Sequence, residues 1–193
     1  FMARVKGTVA PPWNQPGLDL AVTLKGKQLH TLSAIFPTDI PYELTGQVTG
    51  AHDTYRFSRL AARLAGSDVA GSGTLSMTTP RPHLTGTLTS KSFALDHLMD
   101  TVPPTAGPRR PASLWDFEMP IAALNKLDAD LSWRVSSLVL QAKPLGNFAL
   151  TVNLLDGRLH AAPVLSLSSG GTIRGTLDVD GSTVPPTASL TAT

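Results

Sequence analysis

Apolar residues alternate with small or polar residues along most of this chain, and that two-residue period is typical of β-strands. In the clearest run, apolar residues occupy every second position: Phe148, Leu150, Val152 and Leu154. The same pattern predicts further strands over residues 3–10, 18–24, 42–49, 69–78, 83–90, 131–140, 159–167, 173–179 and 188–190. The fold class predicted is therefore all-β: an elongated, curved, mostly antiparallel sheet with one or two short helices.

A short phrase, Gly-Thr/Gln-Leu/Val, occurs five times within these runs. The copies begin at Gly7, Gly46, Gly73, Gly86 and Gly175. A chain that repeats one strand indicates a long sheet rather than an enzyme pocket. In a strand, each glycine shares a face with the Leu or Val two residues later. We expect these glycines to lie on the concave side, where the lack of a side chain lets a sheet bend without crowding.

Residues 55–65 fit two structures. Arg56, Arg59 and Arg63 fall at helical spacing, but the neighbouring segments are strands and the connections are short. We therefore predict a strand with a bulge. A change of parity after Val135 predicts a second bulge near Ser136 and Ser137.

Turn and helix signals divide the strands. Asp156-Gly157 predicts a two-residue hairpin turn, and Gly170-Gly171 predicts another turn. Residues 29–36 carry apolar side chains at helical spacing and stop before a proline, which favours a short helix. Residues 100–113 hold four prolines and predict a loop or disordered insertion.

Composition limits the classes of function. The 193 residues suit one domain or part of a larger chain, so we treat residues 1–193 as a single domain. The net charge is +2, without the basic clusters and aromatic platforms typical of nucleic-acid binding. There is no cysteine, which excludes disulfides and zinc–thiolate sites.

No apolar run approaches the ~18 residues of a membrane helix, and no signal peptide is visible. Because the chain opens and closes in mid-pattern, we expect a fragment of a longer protein.

Motifs that carry chemistry are weak. Asp178-Val179-Asp180-Gly181 matches only part of a calcium loop, and an ordinary turn explains it as well. The five histidines are scattered without ligand spacing: His30, His52, His83, His97 and His160. There is no Gly-x-Ser-x-Gly elbow. We expect no enzymatic activity, no metal and no cofactor. The arginines of residues 55–65 either contact anionic headgroups or form a solvated face.

Two segments resemble each other in sequence. Residues 66–82 run through a glycine turn, a Gly-Thr-Leu strand and prolines before a final strand, and residues 170–186 repeat this order. Repetition at this scale indicates an elongated array in which each unit stacks on the next.

Several segments together resemble the AsmA family of Gram-negative envelope proteins. They are residues 65–75, 80–90 and 93–98, and then residues 127–193 with the cues Leu154-Leu155-Asp156-Gly157-Arg158-Leu159 and Gly170-Gly171-Thr172-Ile173-Arg174-Gly175. The order and spacing of many weak motifs carry the resemblance, which covers most of the chain from about Leu18 onward and matches the family's C-terminal region.

The resemblance implies a protein of the periplasm, anchored in the inner membrane by an N-terminal helix that this fragment lacks. It also implies kinship with TamB-like and bridge-like lipid transfer proteins, whose curved sheets form a groove with an apolar inside for phospholipid tails. The expected partner is then phospholipid, moved without catalysis between the inner and outer membranes in support of outer-membrane assembly. The expected groove-lining residues are Leu75, Met77, Leu84, Leu88, Phe148, Leu150, Val152, Leu154, Leu165, Leu167, Ile173, Leu177 and Val179.

Alternatives remain open at this point. The apolar stripe also fits the core of a closed β-sandwich or a solenoid, which would act as an interaction scaffold through its edge strands. A transmembrane barrel would need aromatic girdles, and only 6% of the residues are aromatic.

Overall fold

A computed structural model describes residues 2–11, 17–27, 41–64, 66–78, 80–96, 124–183 and 187–193. Strands make up 78% of these residues. The strands are β1 (Met2–Ala10), β2 (Gly17–Gly26), β3 (Tyr42–Ala51), β4 (Thr54–Leu64), β5 (Ser67–Ser76), β6 (His83–Ser90), β7 (Phe93–Ala94), β8 (Asp128–Leu140), β9 (Lys143–Leu155), β10 (Arg158–Leu167), β11 (Thr172–Asp180) and β12 (Thr187–Ala192). The all-β prediction is confirmed.

All twelve strands belong to one open, curved sheet. Its order is β1-β2-β3-β4-β5-β6-β8-β9-β10-β11-β12, and the short β7 pairs with β8 beyond the end of β6. Neighbouring strands are antiparallel except at β8, which pairs in parallel with both β6 and β7. A parallel pair needs a long crossover connection, and the connection between β7 and β8 spans residues 95–127, most of which lie outside the described residues.

Both predicted bulges are confirmed. The register of β4 shifts between Phe57 and Leu60, where Arg59 has a φ of 52°. The register of β8 shifts between Val135 and Leu138. The segment with helical arginine spacing is thus a bulged strand, because pairing with strands on both sides outweighs its local pattern.

The hairpin predicted at Asp156-Gly157 is confirmed, with φ values of 53° and 79° that define a primed turn. The pairs His52-Asp53 and Gln141-Ala142 also have two successive positive φ values, although neither contains glycine. Neither turn was predicted, because only the breaks between the flanking strands mark these positions in the sequence.

Few side chains are fully buried. One cluster centres on Phe93, Val135 and Leu138, and a smaller one on Tyr42. The ring of Trp133 meets Phe93 edge-on, with ring centroids 4.7 Å apart. The helix predicted over residues 29–36 and the loop predicted over residues 100–113 both lie outside the described residues.

Candidate functional site

One face of the sheet is apolar across its whole width. Residues paired across neighbouring strands point to the same side, so the register traces rows that cross the sheet. One row runs Gly7, Leu20, Val48, Phe57, Gly73, Gly86, Leu131, Val152, Ala161, Leu177 and Leu190. A second runs Val9, Leu18, Gly50, Tyr55, Leu75, Leu84, Ala129, Leu154, Leu159, Val179 and Ala188. We call the side that carries these rows the apolar face, and the other side the polar face.

Outside the two bulges, the apolar face of the described strands carries no charged side chain. Its two serines, Ser67 and Ser90, are both 3% exposed. The Ser90 Oγ accepts a hydrogen bond from Trp133 Nε1 at 3.0 Å, and the Ser67 Oγ accepts one from the Ala94 backbone N–H at 2.9 Å. Since both hydroxyls are satisfied, they present little polarity to a ligand on this face.

Some glycines on the apolar face lie beside a large side chain of the next strand, whereas others, such as Gly7 and Gly73, lie against its backbone. A Cβ on Gly26 would lie 2.6 Å from the ring of Tyr42, and one on Gly86 would lie 3.2 Å from Leu131 Cδ2. At these two positions the paired large residue therefore leans over the space that the glycine leaves open. All five phrase glycines share this face with the Leu or Val that follows two residues later, as the strand period predicted. That this face is the concave one stays a prediction.

The structure brings the predicted groove-lining residues together. Twelve of the thirteen point to the apolar face by register: Leu75, Leu84, Leu88, Phe148, Leu150, Val152, Leu154, Leu165, Leu167, Ile173, Leu177 and Val179. Met77 follows β5, where its backbone N–H donates to Asp53 C=O at 2.7 Å and its side chain is 46% exposed. Their role as lipid ligands stays a prediction.

The prediction left out the N-terminal third of the same face. Leu20, Leu24, Leu44, Phe57 and Leu60 belong to it, and they have the same alternation as the residues that were selected. The sequence alone could have shown that these residues share one side of their own strands. Whether that side joins the apolar side of β5 depends on the register across the β4 bulge.

Two cavities lined by described residues lie against the sheet. The larger, about 540 Å³, crosses β4, β5, β6, β8 and β9. Its lining combines part of one apolar-face row, from Phe57 through Gly86 to Val152, with the polar-face residues on either side of that row, such as Thr85 and Thr87 around Gly86. The smaller, about 450 Å³, lies over β9 to β12.

Among the described residues, charged side chains lie on the polar face, at the β4 bulge or in the turns. Asn153 Nδ2 donates to Asp130 Oδ1 at 2.6 Å, and His83 Nε2 lies 2.8 Å from Asp130 Oδ2. These two hydrogen bonds hold the pKa of Asp130 below its usual value. Farther along the same row, His160 Nδ1 lies 2.7 Å from Asp178 Oδ1. Each histidine thus faces one carboxylate, an arrangement that orients side chains on an exposed sheet.

The weak chemical motifs gain no support from their surroundings. Within the described ranges, no group of three or more His, Asp or Glu side chains is placed to hold a metal ion. Asp180 pairs with Arg158 at 3.2 Å instead of pointing into a calcium loop. Arg56 and Arg63 lie on the polar face, away from the apolar rows. His30 and His97 lie outside the described residues.

No helix in the described part of the chain has the length and apolarity needed to cross a bilayer.

Comparisons with protein-family models, with curated proteins and with solved structures found no match for this chain.

Proposed function

We propose that this chain is a non-catalytic lipid-binding domain whose apolar face holds phospholipid acyl chains. The main support is that this face is continuous. Two complete rows of residues cross the sheet from β1 to β12, and the Tyr55 hydroxyl is the one polar side-chain group in them. An exposed apolar surface of this extent marks a binding surface in a soluble protein.

The energetics support an acyl chain as the cover. Each methylene moved from water to an apolar surface contributes roughly 0.8 kcal/mol. Val5 is 58% exposed, Ile173 47% and Leu190 48%, so the face still has apolar area to offer. An acyl chain needs no hydrogen bonds, and the face offers almost none, while a headgroup stays in water beyond the sheet.

The open sheet also bears on the alternative, a closed β-sandwich or solenoid scaffold. A sandwich would bury the apolar face under a second sheet, whereas the described strands form one sheet only. This arrangement favours lipid binding. By the AsmA resemblance, the proposal places the domain in the periplasm of a Gram-negative bacterium, where it carries phospholipid between the inner and outer membranes.

Photocrosslinking tests this proposal with controls on the same strands. A photoreactive amino acid is placed at Leu150 or Leu177 on the apolar face, or at the adjacent Thr151 or Thr176 on the polar face. Each variant is incubated with vesicles of phosphatidylethanolamine and phosphatidylglycerol, illuminated and analysed by mass spectrometry. We expect lipid adducts at Leu150 and Leu177 and none at the two threonines. Equal labelling of both faces, or none at either leucine, contradicts the proposal.

A further inference from the structure

A band of polar side chains crosses the interior strands of the sheet, from β4 to β9. By register, one polar-face row runs Arg56, Thr74, Thr85, Asp130 and Asn153, and the next runs Ser72, Thr87, Ser132 and Thr151. These nine residues and Ser58, which we call the polar band, all line the larger cavity. We propose that the polar band binds an acidic oligosaccharide, a short sugar chain that carries carboxylate groups.

The lining of the cavity indicates on which side of the sheet this ligand lies. Each of the five strands contributes three consecutive residues, and the middle one belongs to the apolar face. The apolar-face residues two positions farther along, such as Leu84 and Leu88 on either side of Gly86, are absent from the lining. A ligand on the apolar side would contact them, so we place the oligosaccharide against the polar band.

The polar band is rich in available hydroxyl groups. It contains seven Ser and Thr side chains. Among the described residues, only Thr85 of these seven uses its hydroxyl as a donor, from Oγ1 to Thr74 C=O at 3.5 Å. Each hydroxyl offers one donor and two acceptor lone pairs, which is the mixture that sugar hydroxyls require. The threonine methyl groups between them suit the C–H surfaces of sugar rings.

Opposite charges stand toward the two ends of the band. Arg56 forms no ion pair with any described residue, so its guanidinium can hold a ligand carboxylate through two parallel hydrogen bonds. Asp130 lies three strands away, about 14 Å at ~4.8 Å per strand. Hydrogen bonds with Asn153 and His83 orient its carboxylate, which can accept hydrogen bonds from ligand hydroxyls.

The chemistry and the volume of the cavity fit a ligand that has both kinds of group. A simple anion would engage Arg56 and leave the hydroxyls and Asp130 without partners. The cavity volume of about 540 Å³ falls within the roughly 300–1,000 Å³ of small-molecule sites. Because the polar band lies on the opposite side of the sheet from the apolar face, sugar binding does not depend on lipid binding.

Calorimetric titration of the 193-residue chain tests the proposal. The acidic probes are trigalacturonic acid and a hyaluronan tetrasaccharide, and maltotriose is the neutral control. We expect at least one acidic probe to bind, and maltotriose to bind about tenfold more weakly or not at all, because a hydrogen bond to a charged group is worth roughly a factor of ten in affinity.

Two arginine variants separate this site from general attraction of anions. Arg56→Gln should weaken binding of the acidic probe about tenfold. Arg134→Gln is the matched control, because Arg134 is an exposed arginine on the polar face of β8 that does not line the cavity. We expect the control to bind within about twofold of the parent.

Four outcomes would overturn the proposal. They are no binding of either acidic probe, equal binding of maltotriose, complete displacement of the acidic probe by an equal concentration of sulfate, and equal weakening by the two arginine variants. The third would indicate an anion site without sugar recognition, and the fourth would indicate attraction by the net charge alone.

Discussion

Leu60 Cδ2 lies where the side chain of Gly46 would begin: a Cβ built on Gly46 would come within 2.6 Å of it. The two residues belong to neighbouring strands, and Leu60 ends the β4 bulge. The bulge therefore brings a leucine over a glycine of the repeated phrase.

Gly46→Ala should overpack this contact and lower the free energy of unfolding by about 1–3 kcal/mol. Leu60→Ala alone should cost about 2 kcal/mol for the lost burial. In the double variant the new methyl enters the vacated space, so the combined loss should be smaller than the sum by at least ~0.5 kcal/mol. Urea unfolding followed by circular dichroism measures all three. Strict additivity would contradict the contact.

Ser90→Ala should destabilise the sheet by about 1–3 kcal/mol, because the indole N–H of Trp133 then loses its partner at a site that is nearly closed to water. Thr87→Ala is the matched control, since Thr87 lies on the same strand but is exposed on the polar face. We expect the control to stay within about 0.5 kcal/mol of the parent. Equal losses in the two variants would argue against the Ser90 hydrogen bond.

Asp68 should make stability sensitive to acid. Burial raises the pKa of its carboxyl group, but hydrogen bonds donated by the backbone N–H groups of Lys91 (3.0 Å) and Ser92 (2.9 Å) outweigh this, and the net pKa is lowered. A lowered folded-state pKa gives stability that is complete above the unfolded pKa of about 3.9 and is lost as the pH falls through the folded pKa.

Asp68→Asn should therefore lower the urea midpoint at pH 7 and have a smaller effect as the pH falls below about 4. Glu43→Gln is the comparison: its hydrogen bond and ion pair with Lys25 also lower the pKa of Glu43, but both side chains are exposed. Because solvent screens an exposed ion pair, we expect this variant to change the urea midpoint much less than Asp68→Asn does at pH 7. An Asp68→Asn difference that is constant with pH would refute this assignment.

Gly157→Ala and Gly170→Ala separate backbone strain from side-chain contact. Both glycines have positive φ, 79° and 93°, so alanine should cost about 1–2 kcal/mol at either position. A Cβ at Gly157 would also collide with Asn125 Oδ1, whereas nothing lies within 4 Å of one at Gly170. Gly157→Ala should therefore be the more destabilising change by thermal unfolding. The reverse order would show that the Asn125 contact yields easily.

Much of the architecture was predictable from local pattern. The two-residue period of Phe148 to Leu154 predicted a strand and its apolar parity, and Asp156-Gly157 predicted its turn, because both depend on neighbours in sequence. The bulge near Ser136 was predictable for the same reason, because the apolar positions change there from odd to even residue numbers. His52-Asp53 and Gln141-Ala142 were not identified as primed turns, because their positive φ values are imposed by the paired strands and not by glycine.

The sequence by itself determined which residues alternate, where the chain turns, and that an apolar side and a polar side must exist. Only the tertiary structure decided that β6 pairs in parallel with β8, that Leu60 lies over Gly46, and that the rows run unbroken from β1 to β12. These features rest on pairings between distant segments. A one-residue change of register would have turned every side chain of a strand to the other face.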